Sequence, residues 1–541
     1  MRALPRYIIT VTAMLVAVPT VAAPIPVSKA RVWERWEQAL QSTGRYDDPA
    51  RDVRLQVVYE GPGKRTLRAP GFWDGDRTFR VRCAFPAPGR WRWRTTCSDT
   101  TDGGLHGQTG IVDVTAYKGP NPLYRHGFLR VSANGRFLCH ADRTPFLWIG
   151  DTAWAVPFRA TAEEWAIYLA DRVRKRFTDT QVGLAPWWSG DRDSRGNRPF
   201  LGAGLNRPNP AFWRAYEAKI EAANRAGLMV MLAGVMEPTT RYPDQDEACR
   251  FARYLAARLY GSFVVFSPSF DSGYMPLGDA VGAAVREATS VHLITQHPGT
   301  PSGRSTNTIA EAYRDKPYMD FAGNQTGHNG GNRERCARQA IEWNLSLWNR
   351  KPARPVINLE AMYDAHGSGA WTADDARSLG WRSWLSGAKG YTYGAGRTAA
   401  KAPGMSGGLW FWVTDPSKPD YWRKALGWAS SDQMTVMHDF LASIEWWRLE
   451  PAYPLIHARA TSARDRICAS ATPERDLVVA YLPSGDGIPI DLTGVRGSIR
   501  GRWLDPVTGK TTPIRGRIEP ALQTLAAPSP GEWVLVIQAG R

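Results

Sequence analysis

Residues 355–360, Pro355-Val356-Ile357-Asn358-Leu359-Glu360, make a short apolar run that ends on an acid. Proline at the mouth and β-branched residues inside it read as a buried strand of a parallel sheet. A carboxylate at the C-terminal end of such a strand is either a paired structural charge or, in an α/β fold, a group aimed into the active-site mouth. Which of the two applies depends on the company the run keeps.

Similar runs occupy residues 145–150, 177–186, 228–234, 263–268, 291–297, 318–325 and 390–394, and amphipathic stretches alternate with them. Such βα repetition implies a parallel sheet, and eight units close a (β/α)8 TIM barrel. Thr161-Ala162-Glu163-Glu164 forms a capping box that opens a helix over 161–176, and 336–348 and 373–385 carry helix-spaced apolar residues. A doubly wound sheet is the main alternative. It needs no eight units, and the Gly-rich phosphate turn that usually marks it is missing. On either side the rhythm changes to short alternating strands broken by turns, as in VRLQVVY (53–59), GRWRWRTTC (89–97) and EWVLVIQ (532–538). The fold class is therefore multidomain: a central barrel at 117–445, between β-sandwiches at 25–116 and 446–541.

Residues 1–23 read as a secretory signal peptide, with Arg2 and Arg6 ahead of a mostly apolar run and small residues at Val21-Ala22-Ala23. An uncleaved N-terminal anchor is the alternative, and the run is short for a bilayer span. The expectation is a secreted or periplasmic protein with no membrane span in the mature chain. Its formal charge of +17 suits an acidic polysaccharide or a cell surface, and equally a solvated basic surface without a partner. No compact Lys/Arg block or nucleic-acid motif is present, so no nucleic-acid partner is expected. The six cysteines lack metal-ligand spacing, so no metal or other cofactor is expected. Cys83 and Cys97 flank a turn at Pro86–Gly89 and read either as a hairpin disulfide or as two buried free thiols.

Active sites of such barrels lie where the strands end. Those ends carry Asp151 and Trp154, Trp187 and Trp188, Glu237, Asp271, His297, Gln325 and His328, Glu360, and then Trp410. Acids, amides, histidine and tryptophan suit sugars: aromatic faces cover the C–H patches of a ring, and carboxylates and amides take its hydroxyls. The chain has 24 tryptophans, most of them read as core, with Trp154, Trp187, Trp188 and Trp410 set apart by position. Glycoside cleavage needs two carboxyl groups, one protonated and one ionised. Glu360 and Asp271, on opposite walls of the mouth, meet that need, and Glu237 and Asp151 are rival acids. Asp151, Gln325 and His328 read as hydroxyl ligands, and His297 as a group that orients a carboxylate. Asp151 also reads as a turn acid, and both histidines as core residues.

The motifs GDTAW (150–154), an acid after the fourth run, His297-Pro298, QTGH (325–328) and P-V-x-x-x-E (355–360) resemble the apiosidase-like family of (β/α)8 glycoside hydrolases. Residues 30–115 look like the small β-sandwich that often precedes this barrel. The tail, with RWLDPVTGK at 502–510, resembles a β-sandwich described as a collagen-binding domain of a collagenase. The resemblance implies retaining hydrolysis of an apiose-like or arabinose-like pentofuranoside in a branched polysaccharide, with Glu360 as nucleophile and Asp271 as acid/base. It also shows a departure: the family has two glycines before the strand-four acid, and this chain has Ser269-Phe270. A catalytically inactive polysaccharide-binding protein is the competing reading. A peptidase is disfavoured, because the sequence has no HExxH zinc motif. The sequence leaves the oligomeric state open.

Overall fold

The computed structural model describes residues 26–184, 192–235, 244–301, 306–327, 332–366, 371–396, 408–418 and 421–540. Eight parallel strands form one curled sheet. They are β1 (Trp148–Thr152), β2 (Asp179–Gly183), β3 (Met229–Ala233), β4 (Val264–Ser267), β5 (Leu293–Ile294), β6 (Ala322–Gln325), β7 (Val356–Glu360) and β8 (Gly390–Tyr393). Their order is β5-β4-β3-β2-β1-β8-β7-β6, so chain neighbours lie side by side. A helix follows each strand: α1 (Ala162–Arg174), α2 (Pro210–Ala226), α3 (Gln245–Arg258), α4 (Pro276–Ala288), α5 (Thr308–Arg314), α6 (Arg333–Asn349), α7 (Ala373–Leu385) and α8 (Ala429–Ala442). The predicted capping box opens α1, with Glu164 N donating to Thr161 Oγ1 at 3.2 Å and Thr161 N to Glu164 Oε2 at 3.0 Å. At the sheet's two edges, β5 and β6 approach through Asp320 N to Ile294 O at 2.9 Å and Thr295 Oγ1 to Phe321 O at 3.0 Å.

Side chains alternate across these strands. Trp148, Met231, Val265, Phe321, Ile357 and Leu359 fill the inner face, with Phe128 and Phe146 closing it at the N-terminal ends. Ile149, Val182, Leu232, Phe266 and Ile294 turn outward to the helices. At Gly323 of β6, an added Cβ would lie 2.1 Å from Gln296 O and 2.5 Å from Leu359 Cδ1. Only glycine fits between those neighbours.

Ahead of this sheet, strands between Val27 and Thr115 build a five-stranded and a three-stranded sheet that share a core of Trp36, Tyr59, Phe79, Val81 and Trp91. Of the two readings of Cys83 and Cys97, the structure has the pair of buried free thiols. Thr78–Ala84 pairs in the three-stranded sheet and Gly89–Cys97 in the five-stranded one, so the Pro86–Gly89 turn crosses between sheets instead of joining hairpin partners. Both thiols are free and buried, and burial raises each above its ordinary pKa.

This β-rich unit docks on the central one through buried charges. The guanidinium of Arg258, at the end of α3, donates to Asp74 Oδ1 at 2.7 Å and lies 2.6 Å from Glu217 of α2. Arg82 donates to Glu217 Oε1 at 2.8 Å and to Glu37 at 2.7 Å. Both guanidinium groups stack on Phe72, at 4.6 Å from Arg82 and 4.9 Å from Arg258. After α8, a six-stranded sheet and a two-stranded sheet enclose a second β core of Val478, Ala480, Ile488, Leu535 and Ile537. The other face of the larger sheet, with Leu477, Val479, Tyr481 and Val536, packs into the same cluster as Trp381 of α7 and Met437 and Phe440 of α8. That double burial explains why residues 477–482 are apolar without alternation.

Candidate active site

Strict alternation would send Glu360 to the wrong side. Ile357 and Leu359 point inward, while Asn358 points outward and donates to Ser383 Oγ of α7 at 2.9 Å. Glu360 should follow Asn358. It does not, because the register between β6 and β7 slips by one residue: Asn324 pairs with Asn358, but Gln325 pairs with Glu360. A bulge of this kind re-aims a side chain beside a functional site. Glu360 therefore joins Gln325 on the inner face, at 3% exposure.

The carboxylate is held from three directions. Gln325 Nε2 donates to Oε2 at 2.6 Å, and the Tyr363 hydroxyl donates to Oε1. From the chain after β5, His297 Nε2 lies 3.2 Å from Oε2, although neither ring nitrogen makes a directed hydrogen bond among the described residues. Thr300 Oγ1 donates to Gln325 Oε1 at 2.8 Å and fixes which end of that amide faces the acid. Behind Tyr363 stands Trp154, whose Nε1 donates to the phenol oxygen at 2.9 Å. Trp154 is 2% exposed, so it backs the acid and leaves no face for a sugar. Its ring meets Phe270 at 4.8 Å and His297 at 5.1 Å. Burial and the neighbouring Glu360 charge hold the Tyr363 phenol well above its ordinary pKa, so it stays a proton donor.

The strand-four exit is built differently. Ser269 is buried, with its backbone N and Oγ both donating to Gln296 Oε1, at 2.9 and 2.5 Å. Phe270–Ser272 forms a short strand parallel to His297–Pro298, with a bulge at Asp271. Asp271 is exposed, in a left-handed conformation with φ at +46°. Phe270, half-buried, covers one flank of His297 at 5.4 Å.

Of the other expected residues, Trp410 is half-buried, 6.3 Å from the Tyr363 ring, at the start of the chain's return from β8. Trp187, Trp188, Glu237 and His328 lie outside the described residues. Asp151 does not join this group. It shares the outward side of β1 with Ile149 and is fully buried, accepting from Arg172 Nε and Tyr168 OH, each at 2.7 Å. Burial raises its carboxyl even beside Arg172. Here the structural-charge reading of a strand-end acid applies, and the hydroxyl-ligand reading of Asp151 does not. Tyr363 and Thr300 were missed by sequence reasoning; the one available signal was a tyrosine one turn of chain beyond a strand-end acid. Among the described residues, no group of three His, Cys, Asp or Glu could hold a metal ion.

A second acid lies inside the sheet. Asp179, at the start of β2, is fully buried, and no side chain pairs with its carboxyl group among the described residues. Burial, with Asp151 nearby, raises its pKa well above the usual value. Between the unfolded value, near pH 4, and the raised folded value, the native state keeps a proton that the unfolded chain has released, so this residue makes stability fall as pH rises. Asp179→Asn is expected to flatten that slope and to melt at or above the native chain's temperature at pH 8. A Tm measured against pH checks it, and an unchanged slope refutes it.

The profile of the apiosidase-like catalytic domain matches residues 132–448, that of a domain of unknown function (DUF5060) residues 29–98, and that of a "putative collagen-binding domain of a collagenase" residues 451–538. No curated protein matches the chain. Among solved structures, a glycoside hydrolase family 5 protein from Bacteroides vulgatus is similar over 78% of this chain and 95% of its own, at 21% identity and a TM-score of 0.66. A "putative glycoside hydrolase" from the same species is similar over 94% of this chain and 99% of its own, at 17% identity and a TM-score of 0.69. These likenesses bear on the fold, and the profile covering more than half of the chain decides the family. The chain belongs to the apiosidase-like family, with a glycoside-hydrolase-like catalytic unit between β-rich flanks.

Proposed function

We propose that this protein is a secreted or periplasmic retaining glycoside hydrolase that removes a pentofuranoside, apiose-like or arabinose-like, from a branched and acidic polysaccharide. Glu360 attacks the anomeric carbon as the bond to the leaving oxygen breaks, and Asp271 gives that oxygen its proton. Water then attacks the same carbon, Asp271 takes the water's proton, and the bond to Glu360 breaks. The half-buried Trp410 offers its ring to a sugar face. The observation that carries this reading is the setting of Glu360: a buried carboxylate at the end of β7, turned inward by a register slip and aimed by two hydrogen-bond donors. Asp151 is also held by two donors, but on the helix-facing side of β1, whereas Glu360 stands on the inner face at its strand end, where the active sites of such folds lie.

The reading is tested by incubating the protein with pectic, arabinan and bacterial glycans and following the first-formed sugar by NMR. The expected result is release of a pentose with the anomeric configuration of the bond cleaved. The inverted anomer would show that the acids stand roughly 6.5–9.5 Å apart instead of about 5–5.5 Å, and would rule out Glu360 as nucleophile. Binding without release on every glycan would make this a polysaccharide-binding protein.

A further inference from the structure

We infer that Tyr363 is a positioning residue for the reaction: its hydroxyl, secured by Trp154, aims the Glu360 carboxylate and favours its ionised form. The inference rests on the reading of Glu360 as nucleophile. Three observations converge on it. The phenol donates to Glu360 Oε1 while accepting from Trp154 Nε1 at 2.9 Å, so it bridges the indole and the acid. The opposite oxygen, Oε2, is taken by Gln325, and the carboxylate is thus pinned at both ends. Finally, the backbone makes room for the ring: an added Cβ at Gly394, just after β8, would lie 2.1 Å from Tyr363 Cδ1. A fully buried tyrosine that merely filled space would not require its hydroxyl to bridge an indole and an acid.

A hydrogen bond to the charged form of a carboxylate lowers its pKa, and a donor strengthened by its own acceptance from Trp154 does so more. Glu360 is in contact with two titratable groups from different elements, Tyr363 on its own loop and His297 from the chain after β5. His297 is untouched by substitutions at Tyr363, so the two contributions separate.

The test is Tyr363→Phe, read in two ways. With aryl pentofuranosides as probe, kcat is expected to fall on the order of 100-fold. The acidic limb of kcat/KM is expected to move up by about one pH unit, because the nucleophile now holds its proton longer. Independently of any substrate, the carboxyl resonance of 13C-glutamate-labelled protein that disappears in Glu360→Gln should titrate at correspondingly higher pH. Trp154→Phe, which keeps the phenol and removes its anchor, should shift both readouts in the same direction by less, and it serves if Tyr363→Phe fails to fold. An unchanged Glu360 titration in folded variants overturns the inference. Should Glu360→Gln retain full activity, the nucleophile assignment falls instead, a result distinguishable from the first.

Discussion

Glu360→Gln is expected to abolish pentose release, lowering kcat by at least about 10³-fold, while the protein still binds its glycan. The substitution keeps shape and volume, so the register slip that turns residue 360 inward is undisturbed. What disappears is the anionic carboxylate oxygen that attacks carbon. The new amide also presents N–H where Gln325 or Tyr363 now donates, so at least one of those side chains must turn away. Turnover is measured on whichever glycan the native protein cleaves, and affinity by calorimetry on the same glycan. Activity within tenfold of the native enzyme would remove Glu360 from the chemistry. Loss of both binding and melting temperature would mean that the acid serves the fold, as Asp151 does.

The second large effect concerns stability. Arg258→Ala should cost about 3–5 kcal/mol, because it leaves Asp74 and Glu217 buried with a charge removed from between them. Arg80 and Arg82 still reach the two acids, which places the loss toward the lower end of that range. Against it stands Arg90–Asp113, a pair of similar length at 2.9 Å whose side chains are 59% and 40% exposed. Removing that partner should leave the urea midpoint almost unchanged, since water already screens it. Urea unfolding of each single variant, with a double-mutant cycle between Arg258 and Asp74, makes the comparison. A loss below about 1 kcal/mol at Arg258 would show that the docking of the N-terminal unit rests on its apolar contacts alone.

The eight strands were legible because each had to be an apolar run short enough for a sheet, separated by text that can only be an amphipathic helix. Glu360 was legible as a strand-end acid for the same reason. The face it occupies was not: apolar periodicity puts it with Asn358, and the slip against β6 depends on a partner strand distant in sequence. Asp151 shows the converse. Counting from the inward Trp148 gives an outward Asp151, so parity alone could have separated it from the site, yet nothing local announces Arg172 as its partner. Cys83 and Cys97 stayed open between two readings because a short Pro/Gly turn looks alike whether it joins two strands of one sheet or hands the chain to the opposite one. Tyr363 carries no motif at all; its role arises where β1, β7 and β8 converge.

The larger sheet of the C-terminal unit, covered on one side by its own core and on the other by α7 and α8, has a consequence for how this molecule can be divided. The boundary that similarity draws after residue 448 runs through a shared interior. Severing the chain there would lay bare an oily wall on each fragment.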